Sequence, residues 1–198
     1  MTGETVTNLL GQIASAEPSG GGGAAAALAG ATAAALVALV AGVAARRSPD
    51  DAGLRKIVSE ADHLRGRMLG LMESDVTAFG RVVEARRRSD DARAVAVRDA
   101  LIGATEVPLE LAASSVRVLE QCTAVCPHAR PSTLADLGVA ASLAAAALEG
   151  AVLTARANLE GLAAPEFVAE SRRRLDGLLR ECAALRAGLP RAGQDSNS

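Results

Sequence analysis

Hydrophobic residues return at helical spacing along most of the chain, and the middle third shows this most clearly. Between residues 54 and 82 an apolar residue recurs every three or four positions, with charged residues between. This spacing predicts a long amphipathic helix over about 49–87. Its apolar stripe consists of Leu54, Ile57, Val58, Leu64, Met68, Leu71, Met72, Phe79 and Val82.

Proline, glycine and polar clusters divide the rest of the chain into further helices, and no segment shows a convincing strand pattern. Pro108 lies inside one predicted helix and should bend it or split it in two. We therefore predict an all-α fold, an antiparallel bundle of six or seven helices. It forms a single domain over residues 1–187, followed by a polar, disordered tail over 188–198. The predicted helices cover about 3–15, 24–47, 49–87, 90–124, 133–160 and 165–187.

Two of these helices, over 24–47 and 133–160, are rich in alanine. The first is long and uncharged enough to raise the question of a membrane span. Alanine and glycine, however, contribute far less to insertion than leucine, isoleucine or phenylalanine, and the later helices carry charged faces. The pattern favours a helix buried in protein, with no membrane partner. Because small side chains let helix axes approach closely, we expect the two segments to pair at the centre of the bundle.

Composition excludes several classes of function. The apolar fraction is 49%, yet the chain has only two Phe and no Tyr or Trp, and its formal net charge is −2. It therefore lacks both the basic surface and the aromatic stacking groups typical of nucleic-acid binding. Three cysteines form no even disulfide framework, and no secretion signal opens the chain, so we expect a cytoplasmic protein.

Four glycines, Gly20 to Gly23, stand directly before the first alanine-rich helix in "EPSGGGGAAAALAG". They could be a flexible connector. They could also form a nest of backbone N–H groups that receives an anion or a ligand carbonyl at the start of the helix. No nucleotide-binding glycine pattern accompanies them.

Asp75 interrupts the apolar stripe of the long helix. It lies four residues after Leu71 and four before Phe79, so helical spacing places its carboxylate on the apolar face. A buried carboxylate is costly unless it is paired or its pKa rises, and such groups are often functional. The spacing is equally compatible with a buried salt bridge or a cap on a neighbouring helix.

Asp136 also has two interpretations. With Thr133 it forms the pattern of a capping box before an apolar run, and we favour this structural interpretation from the residues alone. Otherwise it is a catalytic carboxylate at a junction between loop and helix. Cys122, Cys126 and His128 lack a fourth ligand nearby, so we predict no metal site. No arrangement of residues indicates nucleophilic catalysis.

Four stretches, taken in order, are similar to one family. They are "PSGGGGAAAALAGATAAALVALVAGVAARR", "ESDVTAF", "ATEVPLELA" and "STLADLGVAASLAAAALEGAVLTARANL". Together they resemble the family of the formiminotransferase-cyclodeaminase C-terminal domain and methenyltetrahydrofolate cyclohydrolase, over about residues 4–185.

The resemblance implies an all-helical homodimer whose substrate is a tetrahydrofolate derivative, with no permanently bound cofactor. Two reactions occur in such a family. One is cyclisation of 5-formiminotetrahydrofolate to 5,10-methenyltetrahydrofolate with release of ammonia, and the other is hydrolysis of the methenyl compound to 10-formyltetrahydrofolate. The resemblance makes Asp136 the proton shuttle, with Asp75 and Glu106 as further inward carboxylates.

The resemblance also implies residues that bind the substrate. The glycine run would let a flat pterin lie against backbone, and Arg46 and Arg47 would hold the glutamate tail. The implied binding set is Gly20, Gly21, Gly22, Gly23, Arg46, Arg47, Ser132, Arg156 and Asn158.

Departures from the family pattern leave two alternatives open. The family's usual lysines and tyrosine after the first alanine helix are absent, and asparagines are missing before Ser132. A diverged member could catalyse another iminium or amidine cyclisation in secondary metabolism. The chain could also be a helical interaction protein without catalysis.

Overall fold

The computed structural model of the chain describes residues 5–15 and 21–190. Within these ranges the chain forms six α-helices and a short 3-10 turn, with no strand, which confirms the predicted all-α class. Gly20 lies outside the described residues. The helices are α1 Val6–Ile13, α2 Gly22–Ala45, α3 Ala52–Arg87, α4 Arg93–Val125, α5 Pro131–Leu159 and α6 Pro165–Ala187, and the 3-10 turn is Cys126–His128.

Helices α2 to α5 form a four-helix bundle in which successive helices run in opposite directions. Helix α2 packs against α3 and α5, and α4 packs against the same two helices from the opposite corner. Two ion pairs show the antiparallel register of α3 and α4: Arg67 contacts Glu110 at 2.9 Å and Arg117 contacts Glu60 at 3.3 Å. Helix α6 packs mainly on the outside of α4.

The buried faces of α2 and α5 consist mostly of alanine, with glycine at the tightest crossings. A Cβ atom placed on Gly150 would lie 2.9 Å from Cβ of Ala26, and one on Gly30 would lie 2.7 Å from the sulfur of Met68 and 3.3 Å from Ala147. The three helices therefore approach more closely than larger side chains would allow.

Helices α2 and α5 are each long and apolar enough to cross a membrane by length and composition alone. Half of the most apolar window of each helix is buried inside the bundle. The inner faces of both helices pack against neighbouring helices of the bundle.

The start of α5 differs from the predicted capping box. The helix begins at Pro131, and the Thr133 hydroxyl accepts a hydrogen bond from the backbone N–H of Arg130 at 3.0 Å. Thr133 thus closes the first turn by contacting the residue before the helix. Asp136 lies beyond that turn, so the interpretation of Asp136 as a capping residue is wrong.

Pro108 does not divide α4, which continues without a break from Arg93 to Val125. Because proline has no N–H, the carbonyl of Ala104 loses its usual partner within the helix. The side-chain amide of Asn158 on α5 donates to that carbonyl at 2.9 Å. A hydrogen bond between helices thus replaces the one that proline removes, and the predicted split does not occur.

The packed part of the chain continues past the end of α6. Leu189 is only 2% exposed, and the backbone of Pro190 lies beside Gly138 at the start of α5. The last residues that the structure describes therefore cover the end of the bundle where α5 begins.

Replacing Gly150 with alanine tests the close packing of α2 and α5. The added methyl would meet Cβ of Ala26, which cannot rotate away, so the helices must separate. We expect Gly150→Ala to lower the free energy of unfolding by about 1–3 kcal/mol. Thermal unfolding followed by circular dichroism measures the change.

Gly66→Ala is the matched control, because Gly66 lies on the exposed face of α3 with open space around it. Alanine is the better helix former there, so this variant should gain about 0.5–1 kcal/mol. Equal stabilisation by both substitutions would contradict the packing described for α2 and α5.

Candidate functional site

A cavity of about 400 Å³ opens at the end of the bundle where α2 begins and α5 ends. All four bundle helices contribute to its wall. Helix α2 supplies Gly22 and Gly23, with Gly21 directly before it, and α3 supplies Asp75 and other side chains of one face. Cavities of this size commonly hold small organic ligands.

One face of α3 carries the charged and aromatic side chains of the cavity wall. Asp75, Phe79, Val82 and Arg86 follow each other at intervals of four, three and four residues, and all of them line the cavity. Helical spacing alone places these four on one face. Phe79 and Val82 belong to the predicted apolar stripe, and Asp75 was predicted on the same face. Arg86 was missed because the stripe ends at Val82.

The Asp75 carboxylate lies directly against Gly23. A Cβ atom on Gly23 would overlap both carboxylate oxygens, so only glycine fits at this position with Asp75 in place. Among the described residues, Asp75 makes no hydrogen bond or ion pair. Burial therefore acts alone, and it raises the pKa of this carboxyl above its ordinary value.

The glycine run provides a strip of bare backbone beside this carboxylate. Gly21 precedes the first turn of α2 and has no side chain that could cap it, so the first N–H groups of the helix lack an internal partner. Cβ atoms on Gly21 and Gly22 would meet nothing closer than 3.9 Å. A flat ligand could therefore approach the backbone here.

Phe79 was predicted as a core residue, but it is 42% exposed and lines the cavity. It offers the only aromatic ring of the described cavity wall. An exposed phenylalanine in a concave site favours a planar or cationic ligand, which can lie against the ring face.

Asn158 lies on the cavity wall opposite α3, as the resemblance implied. Its amide nitrogen donates one hydrogen bond to the Ala104 carbonyl, so its amide oxygen and its second N–H are left for a ligand. Thr154, one turn earlier, also lines the cavity, but its hydroxyl donates to the Gly150 carbonyl at 3.0 Å.

Other predicted residues lie outside this cavity. Glu106 is exposed and lines a neighbouring groove between α3 and α4, separated from the cavity by Ala78 and Ala104, which line both. Arg156 is exposed and pairs with Asp176 of α6 at 3.1 Å. Within one chain, neither residue joins Asp75.

The remaining predicted residues lie at the opposite end of the bundle. Asp136 is half-buried in the first half of α5, 18 residues before Thr154, which corresponds to about 27 Å along the helix. Ser132 precedes it, and Arg46 and Arg47 follow the end of the antiparallel neighbour α2. All four therefore share one end of the bundle, away from the described glycines.

No group of three potential metal ligands occurs among residues 5–15 and 21–190. Cys122 is buried, and burial raises the pKa of its thiol to about 12. Its thiol is therefore protonated at neutral pH and packs in the apolar core.

Comparisons with known proteins agree with this fold. A family model described as formiminotransferase-cyclodeaminase matches residues 5–177. Methenyltetrahydrofolate cyclohydrolase from Methylorubrum extorquens is 34% identical over 191 residues, covering 92% of each chain. The crystal structure of formiminotetrahydrofolate cyclodeaminase from Thermotoga maritima superposes with a TM-score of 0.78 at 20% identity, covering 94% of this chain and 98% of that one. At that identity, the likeness supports the fold.

Burial of Asp75 makes stability depend on pH. Ionisation costs more in the folded than in the unfolded chain, so the contribution of Asp75 to stability falls as the pH rises from its unfolded pKa through its higher folded pKa. We expect Asp75→Asn to be more stable than the wild type at pH 7. The gain should shrink as the pH falls toward the ordinary range of an aspartate, and urea unfolding at several pH values measures it.

The control is Asp62→Asn, which removes an exposed carboxylate from the same helix. The same gain at pH 7 in both variants, with the same pH dependence, would mean that the position of Asp75 has no special effect.

Proposed function

Because the chain belongs to the formiminotransferase-cyclodeaminase family, we propose that it hydrolyses the methenyl bridge of 5,10-methenyltetrahydrofolate to 10-formyltetrahydrofolate in the cavity beside Asp75. The observation that carries this proposal is the carboxylate of Asp75, half-buried and without a partner among the described residues, against the bare backbone of Gly23. The tetrahydrofolate derivative is the substrate, and the reaction needs no resident cofactor.

Charge favours this substrate. The reacting carbon of the methenyl compound belongs to an amidinium-like cation, and a carboxylate in a half-buried cavity attracts a cation more strongly than one in water does. Phe79 adds a ring face on which a planar cation can lie. The glycine backbone leaves room for the flat pterin on the other side.

Asp75 serves as the proton-transfer group. Water attacks the bridging carbon while the carboxylate takes one of its protons, which gives a neutral tetrahedral adduct. The bond from this carbon to N5 then breaks, and its electron pair goes to N5, which takes up a proton. At the same time the hydroxyl group of the adduct loses its proton, and its oxygen becomes the carbonyl oxygen of the formyl group. The products are 10-formyltetrahydrofolate and one proton, which is released to solvent. Burial tunes Asp75 for this role, because a base works best when its pKa lies nearer to the working pH.

Cyclisation of 5-formiminotetrahydrofolate is the second candidate reaction. It passes through a related tetrahedral adduct, with ammonia leaving in place of water attacking, and the same carboxylate could transfer the proton. We favour hydrolysis because the relative at 34% identity is named a cyclohydrolase, whereas the cyclodeaminase named above is 20% identical.

We further propose a homodimer through the outer faces of α2 and α5. No charged residue occurs in α2 from Gly22 to Ala45, and its outward face exposes Leu39. Neighbouring α5 exposes Val139 and Leu153. Exposed apolar side chains on neighbouring uncharged helix faces are typical of an interface between subunits.

The dimer would also bring Asp136 to the site, although Asp136 and the cavity lie at opposite ends of one chain. A twofold axis perpendicular to α2 places the start of this helix in one chain beside its end in the other. The partner subunit's Asp136 and the partner subunit's Arg46 would then approach the cavity that contains Asp75. In this arrangement, the residues that lie at opposite ends of one bundle contribute to one site.

Asp75→Asn tests the proposed reaction. The amide keeps the shape of the side chain but cannot accept a proton, so we expect kcat to fall about 10²–10⁴-fold, with a smaller change in KM. Loss of the near-ultraviolet absorbance of 5,10-methenyltetrahydrofolate measures the rate. The formimino substrate is assayed in parallel to separate the two reactions.

Asp62→Asn on the same helix is again the matched control and should retain the wild-type rate. If the wild type turns over neither substrate, the proposed function is wrong. If Glu106→Gln lowers kcat as much as Asp75→Asn does, then the neighbouring groove also takes part in the reaction.

Mixing two inactive variants tests the shared site. Asp75→Asn and Asp136→Asn should each be inactive as homodimers, because each lacks one group in both sites. A mixed dimer contains one site with both aspartates, so denaturing and refolding an equal mixture should restore about a quarter of the wild-type rate. Full activity of Asp136→Asn alone, or no recovery in a mixture that forms dimers, would contradict the shared site.

A further inference from the structure

Thr154 faces the glycine strip from α5, as Asp75 does from α3. Its hydroxyl oxygen lies 3.9 Å from the position that a Cβ atom on Gly22 would take. The next glycine, Gly23, contacts the Asp75 carboxylate. Because consecutive Cα atoms are only about 3.8 Å apart, the two side chains face successive residues of α2. Their oxygen atoms border the same cavity from two sides of this helix.

The Thr154 hydroxyl can accept a hydrogen bond but has no proton left to donate. Its O–H group donates to the Gly150 carbonyl, one turn earlier in α5, at 3.0 Å. A hydroxyl oxygen whose proton is used in this way still has lone pairs that accept hydrogen bonds. Because Thr154 is only half-buried and lines the cavity, these lone pairs are accessible to a molecule inside it.

Attack by water on the methenyl carbon requires a defined orientation of the water molecule. A water has two O–H groups and two lone pairs, and a lone pair must point at the carbon when the new bond forms. If two acceptors take both O–H groups, the lone pairs remain for the carbon. A donor beside the water would instead bind a lone pair and compete with the reaction.

We propose that Thr154 is the second acceptor and that it positions the attacking water together with Asp75. One proton of the water passes to the Asp75 carboxylate while the bond from oxygen to carbon forms. The other proton stays on this oxygen and is donated to Thr154. The threonine neither gains nor loses a proton, so it is a positioning residue. This inference rests on the proposed function and adds to it the residue that holds the water.

Asn158 is the alternative acceptor on the same helix. Among the described residues of the cavity wall, the side chains that contain oxygen are those of Asp75, Thr154 and Asn158. Asn158 lies one turn beyond Thr154 and has a second N–H beside its oxygen, so it can also donate. The side chain that faces Gly22 is that of Thr154. Thr154 is therefore better suited to the water, and Asn158 to a substrate with both donors and acceptors.

A water held in this way favours hydrolysis over the second candidate reaction. In the cyclisation of 5-formiminotetrahydrofolate, N10 of the substrate attacks the carbon and ammonia leaves, so no water is needed for the attack. Asp75 would transfer a proton in both reactions, whereas Thr154 would contribute to hydrolysis alone. The two residues therefore differ in which of the reactions they support.

Thr154→Val tests this role, because valine has nearly the same shape as threonine and lacks the oxygen. We expect kcat for the hydrolysis of 5,10-methenyltetrahydrofolate to fall about 10–100-fold, with KM within about twofold of the wild type. Any cyclisation of the formimino substrate should keep its wild-type rate. The near-ultraviolet absorbance of the methenyl compound measures both reactions, by its loss in the first and its appearance in the second.

Thr154→Ser separates the hydroxyl group from packing. Serine keeps the hydroxyl and loses the methyl group, so it should retain at least about a third of the wild-type kcat. If Thr154 only filled space, the order would be reversed, with valine preserving the rate and serine lowering it. Thermal unfolding followed by circular dichroism establishes that both variants are folded at the assay temperature.

Thr123→Val is the matched control. Thr123 of α4 donates to the Leu119 carbonyl at 3.1 Å in the same way but lies outside the cavity wall, so this variant should keep the wild-type kcat.

An unchanged kcat in Thr154→Val, or a loss expressed in KM alone, would overturn the inference, and the proposed function would stand as long as Asp75→Asn is impaired. An equal loss of hydrolysis and cyclisation in Thr154→Val would also overturn it. Turnover of neither substrate by the wild type would overturn the proposed function, and this inference with it.

Discussion

The close approach of α2 to its neighbours is the constraint on which the rest of the structure depends. Alanine and glycine on its buried face let α3 and α5 pack almost against its backbone, as Gly30 and Gly150 show. The same closeness at the start of α2 brings the Asp75 carboxylate onto Gly23. The packing that stabilises the bundle thus also removes water from one side of a charged group, and this raises its pKa.

A second link between packing and chemistry begins at Pro108. The proline leaves the Ala104 carbonyl without a helical partner, and Asn158 satisfies it from across the bundle. Because a buried carbonyl without a partner is costly, this hydrogen bond holds α4 and α5 together at the cavity wall. It also orients the amide of Asn158, so that a residue predicted only to bind substrate has a structural role as well.

Division of the predicted residues between the two ends of the bundle has a simple geometric origin. Helices of 24 to 36 residues are longer than any small ligand, so residues near opposite ends of antiparallel helices cannot meet within one chain. Asp75 and Asp136 are separated in this way. Two copies related by a twofold axis across an uncharged face would reunite them, which is why the apolar outer surface of α2 matters to the chemistry as well as to assembly.

The sequence by itself determined the helices and the half-buried position of Asp75, because helical spacing is local and can be read from neighbouring residues. It did not predict the unbroken helix through Pro108, since that helix depends on Asn158, a hydrogen-bond partner that only the folded chain brings near. The cap at Thr133 is local, and it was missed because α5 begins at Pro131, before the predicted start. Only the tertiary structure decided which predicted residues share a cavity, although helical spacing by itself already places Arg86 on the same face of α3 as Asp75. Distances between helices depend on packing in three dimensions, and no period along the chain encodes them.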